Sequence, residues 1–304
     1  MNGTAIHPDE LIVTSGALEA LNLCLQALTK PGDVVAIESP TFYAALQAIE
    51  RLQLKAIEVA THPRDGIDLA ALAAALEHHP VRACWLMPTF QNPLGSLMPE
   101  ANKRALVELL ARHEVPLIED DVYGELYFGA TRPRPAKAYD RDARVMHCGS
   151  FSKCLAPGYR IGWVAAGRYA QQVQRLKLMT TLSAAMPSQE ALAMYLNDGG
   201  YDRHLRRLRD ALEVQQAAHQ HAIARHFPAG TRVTHPEGGY FLWVELPPSV
   251  DALALHRQAL AHGISLAPGH LSRAKVTGDM GTRRCHGRGN ESNGKSAPLF
   301  IESG

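Results

Sequence analysis

Val145-Met146-His147-Cys148-Gly149-Ser150-Phe151-Ser152-Lys153 is the stretch on which the reading of this chain turns. Val145–Cys148 is a short apolar run of strand type. It ends in a serine-rich turn that delivers a lysine, and Pro157-Gly158-Tyr159-Arg160 follows closely. In an open α/β sheet, side chains at the C-terminal ends of strands point into the ligand crevice. A lysine placed there can form a Schiff base with an aldehyde cofactor once its amine is held neutral. Arg160 is near enough in sequence to help hold an anion such as phosphate, and Ser150 and Ser152 add hydroxyl donors. The bland alternative for any one of the chain's eight lysines is a surface residue in an ordinary ion pair. Here that alternative has to account for the surrounding pattern as well.

Working outward, short β-branched runs alternate with longer helical patterns, as in a parallel sheet wrapped by helices. Strands are expected at 34–38, 56–60, 83–88, 117–121, 145–148 and 162–165. A helix over 17–28 opens after Ser15-Gly16 and closes before Pro31-Gly32. Another over 69–77 follows the cap residue Asp68, and one over 100–112 starts just after Pro99. A long helical stretch over 168–197 is broken near Pro187, and a further helix covers 201–226. Residues 231–246 read as a hairpin with Gly238-Gly239 in its turn, and 250–262 as a last helix. The expected fold class is α/β, with a large, mostly parallel sheet domain over 8–195 and a smaller, C-terminally truncated α+β domain over 196–270. Residues 271–304 are rich in Gly, Ser, Arg and Asn. They offer too little apolar surface to offset ordering entropy, so a disordered tail is expected.

The 304 residues suffice for a sizeable core. No apolar run approaches the roughly 20 residues of a membrane span, and the N-terminus has neither the basic start nor the apolar centre of a signal peptide. Lys+Arg is 31 against Asp+Glu 30, a balance that argues against nucleic-acid binding by this chain. Five cysteines at irregular spacing form neither a disulfide framework nor a metal-ligand pattern. A cytoplasmic enzyme without a metal is the expectation.

Four further motifs bear on chemistry. Thr14-Ser15-Gly16-Ala17 leads from a strand-like segment into a helix, whose free N–H groups suit a phosphate, although the same residues serve as a plain N-cap. Phe42, in Ser39-Pro40-Thr41-Phe42-Tyr43, is a flat aromatic that can stack on a pyridine ring or simply pack. Asn92, in Phe90-Gln91-Asn92-Pro93-Leu94-Gly95, can donate to a phenolic oxygen or sit in an ordinary Asn-Pro turn. Ile118-Glu119-Asp120-Asp121-Val122-Tyr123 places three carboxylates at the end of an apolar strand, which is unfavourable without a nearby cation. A protonated pyridine nitrogen meets that need, and Tyr123 lies within reach of the same ring's phenolic oxygen. The alternative is a solvated strand-to-helix loop.

Together these strings resemble fold-type-I aminotransferases of class I/II. The likeness is strongest to the aminotransferase-like domains of MocR-type (GntR family) regulators and to 2-aminoadipate-type aminotransferases. Val13–Leu21, Pro88–Gly95, Glu119–Tyr123, Gly149–Lys153, Gly158–Trp163 and Pro236–Val244 carry it, in order, over about residues 8–269. The resemblance implies pyridoxal 5'-phosphate as cofactor, an amino acid and a 2-oxo acid as substrates, and a homodimer. It implies Lys153 as the aldimine-forming lysine and proton carrier, and Asp120 as the partner of the pyridine nitrogen. Asn92 and Tyr123 would bond the phenolic O3′, and Phe42 would stack on the ring where relatives often carry Tyr. Ser15, Gly16, Ala17, Ser150, Ser152 and Arg160 would hold the phosphate.

Two departures accompany it. The chain starts just before the first motif, so an N-terminal arm and a winged-helix DNA-binding domain are expected to be missing. After Ala267-Pro268-Gly269, the family's Arg-Leu-Asn-like motif, whose Arg grips the substrate carboxylate, does not appear. Arg283, Arg284 and Arg288 stand in another context. Allowed codons for Leu271–Thr277, read in another frame, spell Phe-Ser-Gly-Lys-Gly-Asp. The expectation is therefore a frameshifted end, a lost final strand and helix, and low solubility. The alternatives to a working aminotransferase are a cofactor-sensing effector domain of a MocR-type regulator, a lyase on the same scaffold, and a catalytically impaired remnant.

Overall fold

The computed structural model describes residues 4, 6–272 and 299–302. In chain order they form β1 (Leu11–Thr14), α1 (Ala17–Leu28), β2 (Val34–Ser39), α2 (Tyr43–Arg51), β3 (Lys55–His62), β4 (Gly66–Ile67), α3 (Leu69–His78) and β5 (Val81–Leu86). Next come α4 (Glu100–Arg112), β6 (Leu117–Asp120), β7 (Val145–Ser150), β8 (Gly162–Ala165), α5 (Ala170–Thr180), α6 (Met186–Asn197) and α7 (Gly200–His226). The chain continues through β9 (Arg232–Val233), β10 (Phe241–Glu245), α8 (Ala252–Ala261), β11 (Ala267–Pro268) and β12 (Leu299–Glu302).

The first eight strands make one sheet in the order β1-β8-β7-β6-β5-β2-β3-β4. The run β7-β6-β5-β2-β3 is parallel, while β8, β1 and β4 join antiparallel at the two margins. Strand alternation divides the core between the two faces. Val35, Ile37, Trp85, Ile118, Met146 and Cys148 pack with α1, α2 and α5. Val34, Ala36, Cys84, Leu86, Leu117 and Val145 pack with α3 and α4. Because helices cover both faces, the strands read as continuous apolar runs in the sequence.

Helix termini follow local chemistry. Asp68 caps α3 through Oδ1, which accepts from the Ala70 and Ala71 amides at 2.9 and 3.0 Å. Pro187 falls in the first turn of α6, so the helical break lies at 181–185 and not at the proline itself.

The second sheet, β11-β12-β10-β9, is antiparallel throughout. One expectation holds here and one changes. β9 and β10 pair antiparallel as a hairpin whose 234–240 connection contains Gly238-Gly239. Gly238 bridges to Tyr127, and the Gly239 amide donates to the Leu126 carbonyl at 2.8 Å, pinning the approach to β10 against the first sheet's loops. The tail expected to be disordered contributes β12, whose Leu299-Phe300-Ile301 sequence has strong strand propensity and pairs between β10 and β11. Gly269–Ser272 forms a short turn whose Ser272 carbonyl accepts from the Thr41 amide at 2.8 Å. Of the Leu271–Thr277 segment on which the altered reading frame rests, residues 273–277 lie outside the described residues, as do Arg283, Arg284 and Arg288.

Candidate active site

The residues singled out in the sequence gather at one edge of the large sheet. Phe42 follows β2, Asn92 follows β5, Asp120 ends β6, and Ser150, Ser152 and Lys153 end or follow β7. These are C-terminal ends of four adjacent parallel strands, where open α/β sheets place their ligands. Gly16 follows β1 and Arg160 precedes β8; since β8 runs antiparallel to β7, both fall at that same edge.

One end of the site is built for an anion. Arg160 donates from Nη1 to Ser152 Oγ and from Nη2 to the Ser15 carbonyl, both at 3.2 Å. The Ser152 amide points to Ser150 Oγ at 3.4 Å. The guanidinium crosses Gly16 so closely that a Cβ there would stand 2.4 Å from Nη2. Gly162 is equally constrained, because its Cβ would meet the Gly16 backbone at 2.4 Å. Glycines at both positions let β8 and the N-terminus of α1 converge. Arg160, two serines and the start of a 12-residue helix then face one small region.

The other end holds the acidic run, and strand alternation separates its members. Asp120 lies on the face of Ile118 and Trp85, whereas Glu119 and Asp121 lie on the face that packs α4. Glu119 accepts from the Ala136 and Lys137 amides at 2.6 and 2.9 Å. Asp121 Oδ2 receives His147 Nε2 at 2.9 Å and Arg132 Nη2 at 3.0 Å. Against the desolvation that would raise it, the His147 hydrogen bond and the Arg132 charge hold the Asp121 carboxyl below its usual range. Asp120 has no comparable cation. Burial, reinforced by the charge of Asp121, pushes its carboxyl up to about 7, and Oδ1 is buried without a hydrogen-bond partner. Backbone amides therefore hold Glu119, and protein cations hold Asp121. Asp121 Oδ1 is likewise buried without a partner, but of the three carboxylates only Asp120 combines such an oxygen with the lack of an ion pair at the crevice edge, which fits the ring nitrogen of a protonated pyridine.

Between these ends, Asn92 is 7% exposed on a loop stitched by Gln91, whose amide donates to the Pro40 carbonyl at 2.8 Å and so ties the Asn92 loop to the Phe42 loop. The peptide bonds Ser39-Pro40 and Asn92-Pro93 are both cis. Phe42 is half-buried and shares an apolar cluster with Tyr123, Met87 and Phe90. Tyr123 is buried, with its ring edge-on to Tyr240 at 6.1 Å and to Phe241 at 5.3 Å. Lys153 is half-buried, its Nζ 5.9 Å from the Tyr240 ring centroid.

Glu38 and Tyr240 were not anticipated from the sequence. Glu38 is the penultimate residue of β2, after four apolar ones, and its Oε2 accepts the Met87 amide at 2.9 Å; burial pushes its carboxyl up to about 8. A carboxylate directly after the apolar run Val34–Ile37 is the available signal. A polar cleft of about 860 Å³ also lies between the 125–134 loop and α7, but Arg132 and Arg209 in it are already paired with Asp121 and Glu125. It shares none of the crevice residues named above.

The raised carboxyls make a stability prediction. A group whose folded pKa exceeds its unfolded value stabilises fully below the unfolded value and loses that contribution as pH rises through the folded one. Asp120, moving from 3.8 to about 7, therefore costs the cofactor-free chain about 3 kcal/mol between pH 5 and pH 8. Glu38, raised from 4.5 to about 8, acts in the same direction. Thermal melts should fall across this window, and Asp120→Asn should remove the Asp120 part of the slope.

The family model for class I and II aminotransferases matches residues 1–278. The chain belongs to that family. It is 56% identical over 271 residues to an uncharacterized HTH-type transcriptional regulator, YdcR, of Escherichia coli, covering 89% of this chain and 58% of that protein. It is 34% identical over 268 residues to a 2-aminoadipate transaminase of Thermus thermophilus, covering 87% of this chain and 67% of the relative. Among solved structures, the α-aminoadipate aminotransferase LysN of Thermus thermophilus, complexed with N-(5'-phosphopyridoxyl)-L-leucine, superposes with a TM-score of 0.86 at 30% identity. That likeness covers 97% of this chain and 72% of the other. The chain spans somewhat over half the length of the regulators it matches. Within this family the mostly parallel α/β sheet is the expected architecture, and among the described residues no helix is long and apolar enough to cross a membrane.

Proposed function

We propose that this chain binds pyridoxal 5'-phosphate through Lys153 and transfers an amino group between an amino acid and a 2-oxo acid. The observation that carries the reading is Asp120: a buried carboxylate oxygen without a partner, at the end of the strand beside the one that delivers Lys153. When bound, the cofactor supplies an electron sink for the bond broken at the substrate Cα. The residues of this chain do the rest. Lys153 supplies the amine that attaches the cofactor's aldehyde and, once displaced by substrate, carries the proton at Cα. Asp120 keeps the ring nitrogen protonated. Asn92 and Tyr123 donate to O3′, and Phe42 covers the ring. Ser15, Gly16, Ala17, Ser150, Ser152 and Arg160 hold the phosphate.

Arg160→Gln removes the charge while leaving a donor, so cofactor affinity should fall about 10- to 100-fold, the range for a charge-assisted hydrogen bond. Equilibrium titration with the cofactor checks this. The exposed apolar residues Leu178, Met179, Leu182, Met186 and Met194 on and between α5 and α6 support pairing with a second copy of the chain. Sedimentation with and without cofactor reports that state.

A second reading is favoured by the 56% identical HTH-type regulator: the same pocket serves as a sensor, with cofactor and amino acid as ligands. Incubation with pyridoxal 5'-phosphate, 2-oxoglutarate and a panel of amino acids that includes 2-aminoadipate decides between the two. Many turnovers of 2-oxo acid per chain are expected for the enzyme. Binding with at most one turnover marks the sensor.

A further inference from the structure

The backbone at Lys153 is held from outside its own strand. Tyr240 donates its hydroxyl to the Lys153 carbonyl at 2.6 Å. His204 Nε2 lies 3.0 Å from the next carbonyl, that of Cys154, and since a carbonyl only accepts, the ring nitrogen is the donor. The Tyr240 ring also faces Lys153 Nζ at 5.9 Å and packs edge-on against Tyr123. One side chain thus meets the main chain and the amine of Lys153 and the phenol beside it. Neither donor belongs to the strands that build the crevice. Tyr240 precedes β10 of the second sheet, and His204 lies on α7. Lys153 itself is three residues past Ser150, the last residue of β7 paired in the ladder.

We propose that Tyr240, assisted by His204, is a positioning residue that sets the reach of the Lys153 amine from the second sheet and α7. The proposal rests on the assignment of Lys153 as the cofactor lysine. Fixing the carbonyls fixes the Cα from which the side chain extends, and displacements near 1 Å at a reacting group slow catalysis by up to about 100-fold. A shift of the second sheet relative to the first then reaches the lysine through the Tyr240 hydrogen bond, and a shift of α7 through that of His204.

Tyr240→Phe keeps the ring and removes the donor; His204→Leu removes the second donor, and His204→Gln restores one. Two readouts separate the questions. Hydrogen exchange of the cofactor-free chain follows the peptide covering 151–158, and kinetics of the cofactor-loaded chain follow kcat and KM for the amino acid. In Tyr240→Phe, exchange in that peptide should rise several-fold with the remainder unchanged. Its kcat should fall about tenfold at constant KM, matching one lost hydrogen bond. His204→Leu should do the same more weakly, and His204→Gln should recover. Parental exchange and kinetics in both Tyr240→Phe and His204→Leu overturn the proposal, as does exchange raised evenly along the whole chain. Local exchange changes in a chain that takes up no cofactor overturn the cofactor reading and leave the clamp standing.

Discussion

Lys153→Ala is expected to abolish covalent attachment of pyridoxal 5'-phosphate and to slow amino transfer by about 10⁴-fold, the upper range for loss of a positioned proton carrier. The same change should barely affect folding. Lys153 is half-buried, and truncating a side chain outside the packed core shifts stability by no more than about 1 kcal/mol. The variant should still hold the cofactor weakly through Arg160 and the start of α1, since those contacts do not involve the lysine side chain. Small primary amines added to the medium should restore part of the rate. A variant that transaminates at the parental rate would remove Lys153 from its assigned role.

Asp120→Asn should produce opposite signs in stability and activity. Asn keeps the shape and can still accept the Val122 amide, so packing is preserved. The cofactor-free chain at pH 8 should become more stable by about 3 kcal/mol, because a buried, desolvated carboxylate is no longer forced to ionise. Amino transfer should fall about 10²- to 10³-fold, the usual loss when one preorganised electrostatic partner is removed. Melts at pH 5 and 8 and steady-state rates on the same preparation test both halves. Residues that lower stability and support activity belong to a functional site; a purely structural Asp120 would lose both together.

The ends of α1, α4 and β8 are legible in the sequence to the residue, because glycine and proline breaks and the apolar period agree there. The helix α2 is not. It begins after Phe42 without a side-chain cap, and its alanine-rich stretch carries little signal. The crevice residues were legible because each sits beside a strand end with a local signature. What escaped was everything decided by pairing across the fold. The acidic run read as three charges seeking one cation, yet alternation sends Glu119 and Asp121 to the opposite face, where Lys103, Arg132 and His147 meet them. Nothing local to His147 announces that it faces Asp121, 26 residues away. Likewise Gly238-Gly239 lies in the β9–β10 connection as the sequence indicates, but nothing local shows that Tyr240 reaches Lys153, 87 residues away. The polar composition between 272 and 296 masks the apolar Leu299-Phe300-Ile301 beyond it, whose partners β10 and β11 are distant in sequence.

Reduction of the cofactor-treated chain with borohydride, followed by peptide mapping, tests the central claim most directly. A stable phosphopyridoxyl adduct on the peptide containing Lys153, absent from Lys153→Ala and from samples reduced without cofactor, is the predicted result. An adduct spread over other lysines, or none above background at saturating cofactor, would contradict it.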